Sequence, residues 1–222
     1  MAVAVFDLDN TLLAGDSDCE WGRFLAAQGF VDPARHEAES HRYYQNYLDG
    51  TLDIQAFLAF QLRPLAEHDP GVLHALRARF VDERIRPLVL PAARALLQRH
   101  RARGDVVVIV TATNRFITAP IAELLGVEHL LATEPEMVDG RYTGRAQGVP
   151  CFQGGKVQRL QAWLDEHGLD WSGSWFYSDS RNDIPLLERV DHPVAVDPDP
   201  ALEEHARAHG WPVLSLREPG AG

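Results

Sequence analysis

Two aspartates follow the first apolar segment of the chain, in the stretch FDLDNT that begins at Phe6. Asp7 and Asp9 are two positions apart, so their side chains project to the same side if the extended backbone continues. Neighbouring carboxylates repel each other, and burying them without a partner is costly. The pair therefore predicts a site that binds a cation, shares a proton, or does both.

A second acidic cluster occurs in the stretch SDSRND, where Asp179 ends another apolar segment and Asp183 lies in the first turn of a predicted helix. Oxygen-rich clusters of this kind suit Mg²⁺, which binds a few carboxylates and keeps its other positions for water and phosphate. We therefore predict Mg²⁺ as the cofactor.

Two further residues could bind a phosphate group. Thr111, in VTAT, offers a hydroxyl and backbone amides near a predicted helix start, and Lys156, in GGKV, places a cation in the first turn of another helix. A carboxylate can attack phosphorus only if the charge of the phosphate is offset, and Mg²⁺ with Lys156 would offset it. Each residue alone has an ordinary structural explanation, so the prediction depends on the combination.

The fold must bring these residues together. Short apolar segments, each followed or ended by a polar residue, predict strands at 2–6, 105–110, 174–178 and 193–197. The helical patterns at 91–103 and 155–167 alternate with these strands, which indicates a parallel sheet covered on both faces. Ligands of such sheets bind beyond the carboxyl ends of the strands, where the polar residues converge.

The stretch from about Asp16 to Arg86 contains helical patterns without a convincing strand, and roughly 70 residues are too many for a loop. We predict an α/β fold with a Rossmann-like three-layer core, residues 1–15 and 87–222, and an inserted all-helical cap, residues 16–86. Within the core, Asp139 and Gly140 predict the turn of a β-hairpin. The last residues, 217–222, are expected to be frayed.

Composition excludes several classes of partner. The 222 residues carry a net charge of −11, which argues against nucleic acid or an anionic membrane surface as the main partner. The chain start lacks a signal-peptide pattern, and no apolar stretch approaches a membrane span. Cys19 and Cys151 lack metal-binding spacing and indicate a reducing compartment. We expect a cytoplasmic protein, and the sequence leaves its oligomeric state open.

The combined motifs resemble the haloacid dehalogenase superfamily, in its branch of phosphoserine phosphatase-like hydrolases with a helical cap after the first motif. FDLDNT resembles the first motif, VTAT the second, Lys156 the third and SDSRND the fourth. The resemblance implies that Asp7 is a nucleophile forming an aspartyl-phosphate. It also implies that Asp9 protonates the leaving group and later activates water, which splits one difficult displacement into two steps.

The same resemblance implies the remaining site residues. Mg²⁺ would be held by Asp7, the main-chain carbonyl of Asp9 and Asp179, with support from Asp183 and Asn182. Thr111 and Lys156 would hold the transferring phosphoryl group. The substrate-binding residues expected on this basis are Asp16, Thr111, Ala112, Lys156 and Asn182.

The substrate follows less directly from the resemblance. Members that cleave carbon–halogen bonds typically lack the second aspartate of the first motif, so Asp9 favours phosphate chemistry. Phosphoserine phosphatases usually carry Glu where Asp16 stands and Ser-Gly-Gly where Thr111, Ala112 and Thr113 stand. These departures leave phosphoserine, histidinol phosphate and other small phosphorylated metabolites open as substrates. In the cap, the spacing of Tyr43 and Tyr47 favours a helix face packed on the core.

Two alternative functions fit the same residues. A phosphotransferase on this fold would pass the phosphoryl group to an acceptor alcohol. A non-enzymatic signalling module would hold one phosphoryl group on an aspartate, as receiver domains do. Receiver domains are much shorter and place the phosphorylated aspartate on a later strand, so the helical insertion and SDSRND favour the hydrolase.

Overall fold

A computed structural model describes residues 2–217. The frayed end predicted for 217–222 lies outside the described residues except for Arg217. The strands of this range are β1 (Val3–Phe6), β2 (Val106–Asn114), β3 (His129–Val138), β4 (Arg141–Gln147), β5 (Trp175–Ser178), β6 (His192–Val196) and β7 (Val213–Leu214). They form one sheet in the order β4-β3-β2-β1-β5-β6-β7. Every neighbouring pair is parallel except β3 and β4, which are antiparallel.

Strand β1 lies in the middle of this sheet and is buried on both faces. Val3 and Val5 pack into one hydrophobic cluster, whereas Ala4 and Phe6 pack into the other. A strand covered on both faces needs apolar residues at every position, which explains the continuous apolar segment at the start of the chain.

Helices cover both faces of the sheet, as predicted. The α-helices of the described range are α1 (Ser17–Ala27), α2 (Pro33–Leu48), α3 (Ile54–Glu67), α4 (Pro70–Phe80), α5 (Pro91–Ala102), α6 (Arg115–Leu124), α7 (Gly154–His167), α8 (Ile184–Leu187) and α9 (Pro200–His209). Helices α5 and α6 share the cluster of Phe6, and α7, α8 and α9 share that of Val5. This three-layer arrangement confirms the predicted fold class. Within residues 2–217, no helix is both long and apolar enough to cross a membrane.

The inserted cap consists of α1–α4, which lie between β1 and α5 in the chain. Each of these helices begins after an aspartate whose side chain accepts a hydrogen bond from a backbone amide of the first turn. These aspartates are Asp16, Asp32, Asp53 and Asp69. Helices α1 and α2 approach closely at Gly22, because a Cβ atom there would lie 1.9 Å from Nε2 of His36. The exact cap boundaries, 16 and 86, stay a prediction.

One local prediction needs correction, one strand was not predicted, and one hairpin is confirmed. Strand β2 continues to Asn114, so Thr111 lies inside the strand, because the backbone pairs with β3 again at Asn114 after a bulge. Strand β3 begins at His129, although its polar residues, such as Glu134, gave no strand pattern. The hairpin at Asp139 and Gly140 is present, and both residues have a positive φ.

Candidate active site

Asp7 and Asp9 lie at the carboxyl end of β1, where the chain leaves the strand. The amide of Asp7 still donates to the carbonyl of Tyr177 on β5 (2.9 Å), whereas Asn10 has a left-handed backbone (φ 59°) that turns the chain. Asp7 is buried, and both aspartates line one cavity of about 270 Å³, together with residues of the cap helices. The structure thus brings together the two carboxylates singled out in the sequence.

Lys156 is the only lysine in the chain and lies buried in the first turn of α7, with 3% of its surface exposed. Its Nζ donates to Oδ1 of Asp7 (2.8 Å) and Oδ2 of Asp183 (2.7 Å). Burial alone would lower the pKa of Lys156, but the charges of Asp183 and Asp7 raise it well above its ordinary value. An ammonium group has three N–H donors, so the third can reach a ligand.

Two hydrogen bonds hold the carboxylate of Asp9. Its Oδ1 accepts from the backbone amide of Ser17 (2.6 Å), and its Oδ2 accepts from Oγ1 of Thr113 (2.8 Å). Burial, with the nearby charges of Asp16 and Asp7, raises the pKa of Asp9 to about 7. A carboxyl group with that pKa can donate and accept a proton near neutral pH.

The pKa of Asp7 is raised less than that of Asp9. Burial and the charge of Asp183 raise it, while Lys156 lowers it, and the result is about 6. The two aspartates therefore differ in environment, because Asp7 contacts a cation and Asp9 contacts neutral donors. The cation beside Asp7 stabilises its ionised form more than the neutral donors stabilise that of Asp9, a difference that the sequence alone could not show.

The segment Thr111–Thr113 lines the cavity from the end of β2. Oγ1 of Thr111 accepts from the amide of Thr113 (3.2 Å), and the carbonyl of Ala112 accepts from Oγ1 of Thr133 (2.9 Å). Thr113, which contacts Asp9, was missing from the residues predicted from the sequence. The alternation of threonines in VTAT was a signal for it, because residues two apart in a strand share a face.

The second acidic cluster lies beside the first, as the parallel sheet requires. Asp179 follows β5, and its Oδ1 accepts from Oγ1 of Thr11 (3.1 Å). Burial, with the charges of Asp7 and Asp183, raises the pKa of Asp179 well above its ordinary value. This carboxylate lies among like charges and is suited to bind a cation.

Asp183 and Asn182 lie in a 3-10 turn, Arg181–Asp183, ahead of α8. Oδ2 of Asp183 accepts from Lys156 and also from Oγ of Ser178 (2.7 Å). Asn182 accepts from Nε2 of Gln153 (2.9 Å) and donates to the carbonyl of Tyr47 on α2 (3.4 Å). Asp183 therefore fixes the lysine, and Asn182 connects the core with the cap.

The oxygen donors at this site fit a magnesium ion with few protein ligands. Among residues 2–217, no three His, Cys, Asp or Glu side chains converge closely enough to hold a metal ion. Magnesium commonly uses one or two carboxylates and keeps several waters. The charge of Asp7 raises the pKa of Asp179, so these two carboxylates lie near each other and are the pair that such a site would use.

Asp16 and Asp18 have different environments on the cap side of the cavity. Oδ1 of Asp16 accepts from the amide of Cys19 (2.8 Å) and caps helix α1, although Asp16 also lines the cavity. Asp18 is 6% exposed, lines the same cavity, and has an Oδ1 atom without a hydrogen-bond partner in the described structure. Burial and the charges of Asp16 and Asp9 raise the pKa of Asp18 well above its ordinary value. Sequence reasoning missed Asp18.

Tyr43 and Tyr47 both line the cavity, but only Tyr47 contacts the core as expected for this helix face. Tyr43 is buried, packs on Phe57 (5.4 Å between ring centroids) and donates to the carbonyl of Ala56 (3.1 Å). Tyr47 instead donates to Oγ of Ser180 in the core (2.6 Å). The expectation therefore needs correction for Tyr43, whose contacts lie on cap helix α3, whereas the hydroxyl of Tyr47 joins α2 to the segment that carries Asp179.

A family model described as haloacid dehalogenase-like hydrolase matches residues 4–188. The match covers most of the chain and includes both acidic clusters, the end of β2 and Lys156. The chain therefore belongs to the haloacid dehalogenase-like hydrolase family, which confirms the resemblance seen in the sequence motifs.

Individual proteins are similar over nearly the whole chain. A histidinol-phosphatase from Neisseria meningitidis serogroup C is 43% identical over 97% of this chain and 99% of its own length. The phosphoserine phosphatase SerB1 from Mycobacterium tuberculosis is 33% identical over 97% of this chain and 71% of its own. A structure of a protein with unknown function from Bordetella pertussis has a TM-score of 0.91 and 46% identity, covering 97% and 98% of the two chains.

A more distant structure has the same fold. A phosphoserine phosphatase solved as an analogue of its phospho-aspartyl intermediate has a TM-score of 0.72 with 20% identity, covering 98% of this chain and 93% of its own. The described architecture of core and cap is therefore shared at low sequence identity.

Proposed function

We propose that this protein is a Mg²⁺-dependent phosphatase that hydrolyses a small-metabolite phosphate monoester through an aspartyl-phosphate on Asp7. One observation carries the proposal: Asp7 faces the cavity beside Asp9 and is held by Lys156, which leaves one ammonium donor for a phosphoryl oxygen. The phosphatase names of two relatives that span almost all of this chain support it.

In the first step, a carboxylate oxygen of Asp7 bonds to phosphorus as the bond to the substrate alcohol breaks. Asp9, with its pKa raised to about 7, gives its proton to the departing alcohol oxygen. In the second step, Asp9 takes a proton from water, the water oxygen bonds to phosphorus, and phosphate leaves Asp7. Lys156 donates to the phosphoryl oxygens in both steps.

Mg²⁺, when bound, would offset the charge of the phosphoryl group. Its protein ligands would be Asp7, Asp179 and the main-chain carbonyl of Asp9. Asp183 supports this site through Lys156, and Asn182 supports it through the contact with the cap. Thr111 and Ala112 line the cavity from the next strand and complete the phosphoryl-binding side.

The substrate we propose is an amino-alcohol phosphate, with histidinol phosphate first and phosphoserine second. Among residues 2–217, eight aspartates line the cavity, against one lysine and one arginine. Lys156 is committed to the phosphoryl group, so the surroundings favour an ester whose alcohol part is cationic over one that carries another anion. We also propose that the enzyme is cytoplasmic, since Cys19 and Cys151 are both free thiols.

The test is a screen of phosphorylated metabolites with Mg²⁺, including histidinol phosphate and phosphoserine, on wild type and Asp7→Asn. We expect repeated phosphate release by wild type and none above background by the variant, whose circular dichroism and melting temperature show that it is folded. Activity in Asp7→Asn would refute the nucleophile. Release of only one phosphate per chain would indicate a signalling module, and new esters formed with added alcohols would indicate a phosphotransferase.

A further inference from the structure

In the part of the chain that the structure describes, the cap side of the cavity has no cation of its own. Within the described residues, the cavity lining contributed by α1, α2 and α3 includes no Lys or Arg, but it includes Asp18 and the aromatic residues Tyr43 and Phe57. The arginine of the lining is Arg217, which donates to Asn10 on the core side (3.3 Å). A ligand group that enters between the cap helices therefore meets carboxylates and rings.

Asp18 lacks the partner that a buried carboxylate requires. Its Oδ1 has no hydrogen-bond partner in residues 2–217, and the residue is almost fully buried. Asp16, two positions earlier, uses its carboxylate to cap α1. A buried carboxylate without a partner is costly, and a cationic ligand removes that cost when it binds.

We propose that Asp18 is a specificity-determining residue that accepts a hydrogen bond from an ammonium group of the substrate. The cavity then selects phosphomonoesters of amino alcohols and disfavours those that also carry a carboxylate. This inference rests on the proposed function, because the phosphoryl group must occupy the Lys156 side for the ammonium to face the cap. Tyr43 and Phe57 provide apolar and aromatic surface for the rest of the alcohol.

The discriminating experiment compares histidinol phosphate with its deamino analogue, which differs only in having hydrogen in place of the amino group. At about pH 8 an imidazole of ordinary pKa is neutral, so the ammonium is the cationic group of the ester. We expect Asp18→Asn to lower kcat/KM for the aminated ester about 10- to 100-fold, mainly through KM, because a charge-assisted hydrogen bond is lost. The deamino ester should be affected by less than about 3-fold.

Two matched variants separate recognition from folding. Asp32→Asn is the same substitution at an exposed cap residue outside the cavity lining, and it should leave kcat/KM for both esters unchanged. Asp16→Asn keeps a side-chain acceptor at the helix start, and any change in kcat/KM should be equal for the two esters. If Asp18→Asn lowers both esters equally, or neither, the assignment of Asp18 is wrong.

The second half of the proposal is tested with ethanolamine phosphate and phosphoserine, which differ by one carboxylate. We expect kcat/KM for phosphoserine to be at least about 10-fold lower, because its carboxylate meets like charges in the cavity. A higher value for phosphoserine would overturn the proposed selectivity.

A binding measurement keeps this inference separate from the proposed mechanism. Calorimetry with Asp7→Asn and Mg²⁺ measures affinity for both histidinol phosphate and the deamino ester without turnover. Adding Asp18→Asn should weaken binding of the aminated ester alone. Loss of that preference with no turnover by wild type would support Asp18 and refute the phosphatase proposal. Unchanged binding of both esters would refute the role of Asp18.

Discussion

The two sides of the cavity differ in how their carboxylates are satisfied. On the core side, Asp7 and Asp183 share Lys156, and Asp9 accepts from Thr113 and the Ser17 amide. On the cap side, Asp18 has an oxygen without a partner in the described structure. The carboxylates proposed for chemistry are therefore held by protein hydrogen bonds before a ligand binds. The carboxylate proposed for recognition keeps an oxygen that a ligand can hydrogen-bond.

This difference has a physical reason. A group that reacts must be held in one geometry, because misplacement of a nucleophile or an acid reduces the rate steeply. A protein group that selects a substrate discriminates best when its hydrogen-bond partner belongs to the substrate. An analogue that lacks this partner then leaves the buried protein group unsatisfied. Both sides contain buried carboxylates, and the source of their hydrogen-bond partners distinguishes them.

Removing the cation of the core side should give the largest effect. Lys156→Met leaves Asp7 and Asp183 buried without their shared partner, so we expect unfolding free energy to fall by about 3–5 kcal/mol. Phosphate release should fall by at least about 1,000-fold, as expected for loss of a preorganised donor to the transition state. Denaturant unfolding and phosphate release measure the two effects.

Lys156→Arg is the matched control for charge. The guanidinium is planar and larger than an ammonium, and the site is 3% exposed, so we expect Arg to fail in both assays. Lys156 is the one lysine among the 21 Lys and Arg residues of the chain, which agrees with a requirement for an ammonium group at this site. Full rescue by Arg would show that charge, rather than the geometry of the ammonium, is what the core side requires.

The second prediction concerns how the free energy of unfolding of the metal-free protein depends on pH. The pKa of Asp9 is raised to about 7, whereas in the unfolded chain it lies near the ordinary 3.8. The folded state therefore binds the proton more tightly, and this stabilisation is complete below about pH 4 and declines as pH rises through about 7. One pKa unit corresponds to about 1.4 kcal/mol, so the decline should amount to a few kcal/mol.

The measurement compares wild type with Asp9→Asn by denaturant unfolding in a chelator between about pH 4 and 8. The stability of wild type relative to this variant should decrease with pH, and Asp32→Asn should show no such trend against wild type. Added Mg²⁺ should oppose the decrease, because a bound cation stabilises the ionised carboxylates. A pH-independent difference would show that Asp9 is not held in a buried, proton-binding environment.

The sequence predicted the core side well because its signals are local. The apolar β1 segment ending at Asp7, the spacing of Asp7 and Asp9, and the helix start at Lys156 all depend on residues close together in the chain. Parallel strands then bring those ends to one edge of the sheet. The partner of Asp9 was less predictable, because Thr113 is 104 residues away and lies in a strand that was expected to end earlier.

The cap side was harder to predict for a related reason. The stretch AGDSD contains two acids, and its pattern does not say which one caps the helix and which one faces the cavity. The answer depends on where α1 begins. Because α1 starts at Ser17, the Asp16 side chain caps the first turn of this helix. The contact of Tyr47 with Ser180 depends on how α2 lies over the core, since 133 residues separate the two.

The smallest expected effect concerns the contact between the two sides. Tyr47→Phe removes the hydroxyl that donates to Ser180, a contact worth about 0.5–1.5 kcal/mol of net stability. We expect a melting temperature lower by a few degrees, roughly 1–5 °C, and a several-fold loss of kcat/KM, because α2 is held less firmly over the segment that carries Asp179.

Tyr142→Phe, the same substitution on β4 outside the cavity lining, is the control for loss of a hydroxyl alone. If Tyr47→Phe loses activity only toward aminated esters, Tyr47 belongs to the recognition side. An equal loss for aminated and deamino esters would show that it positions the cap over the core.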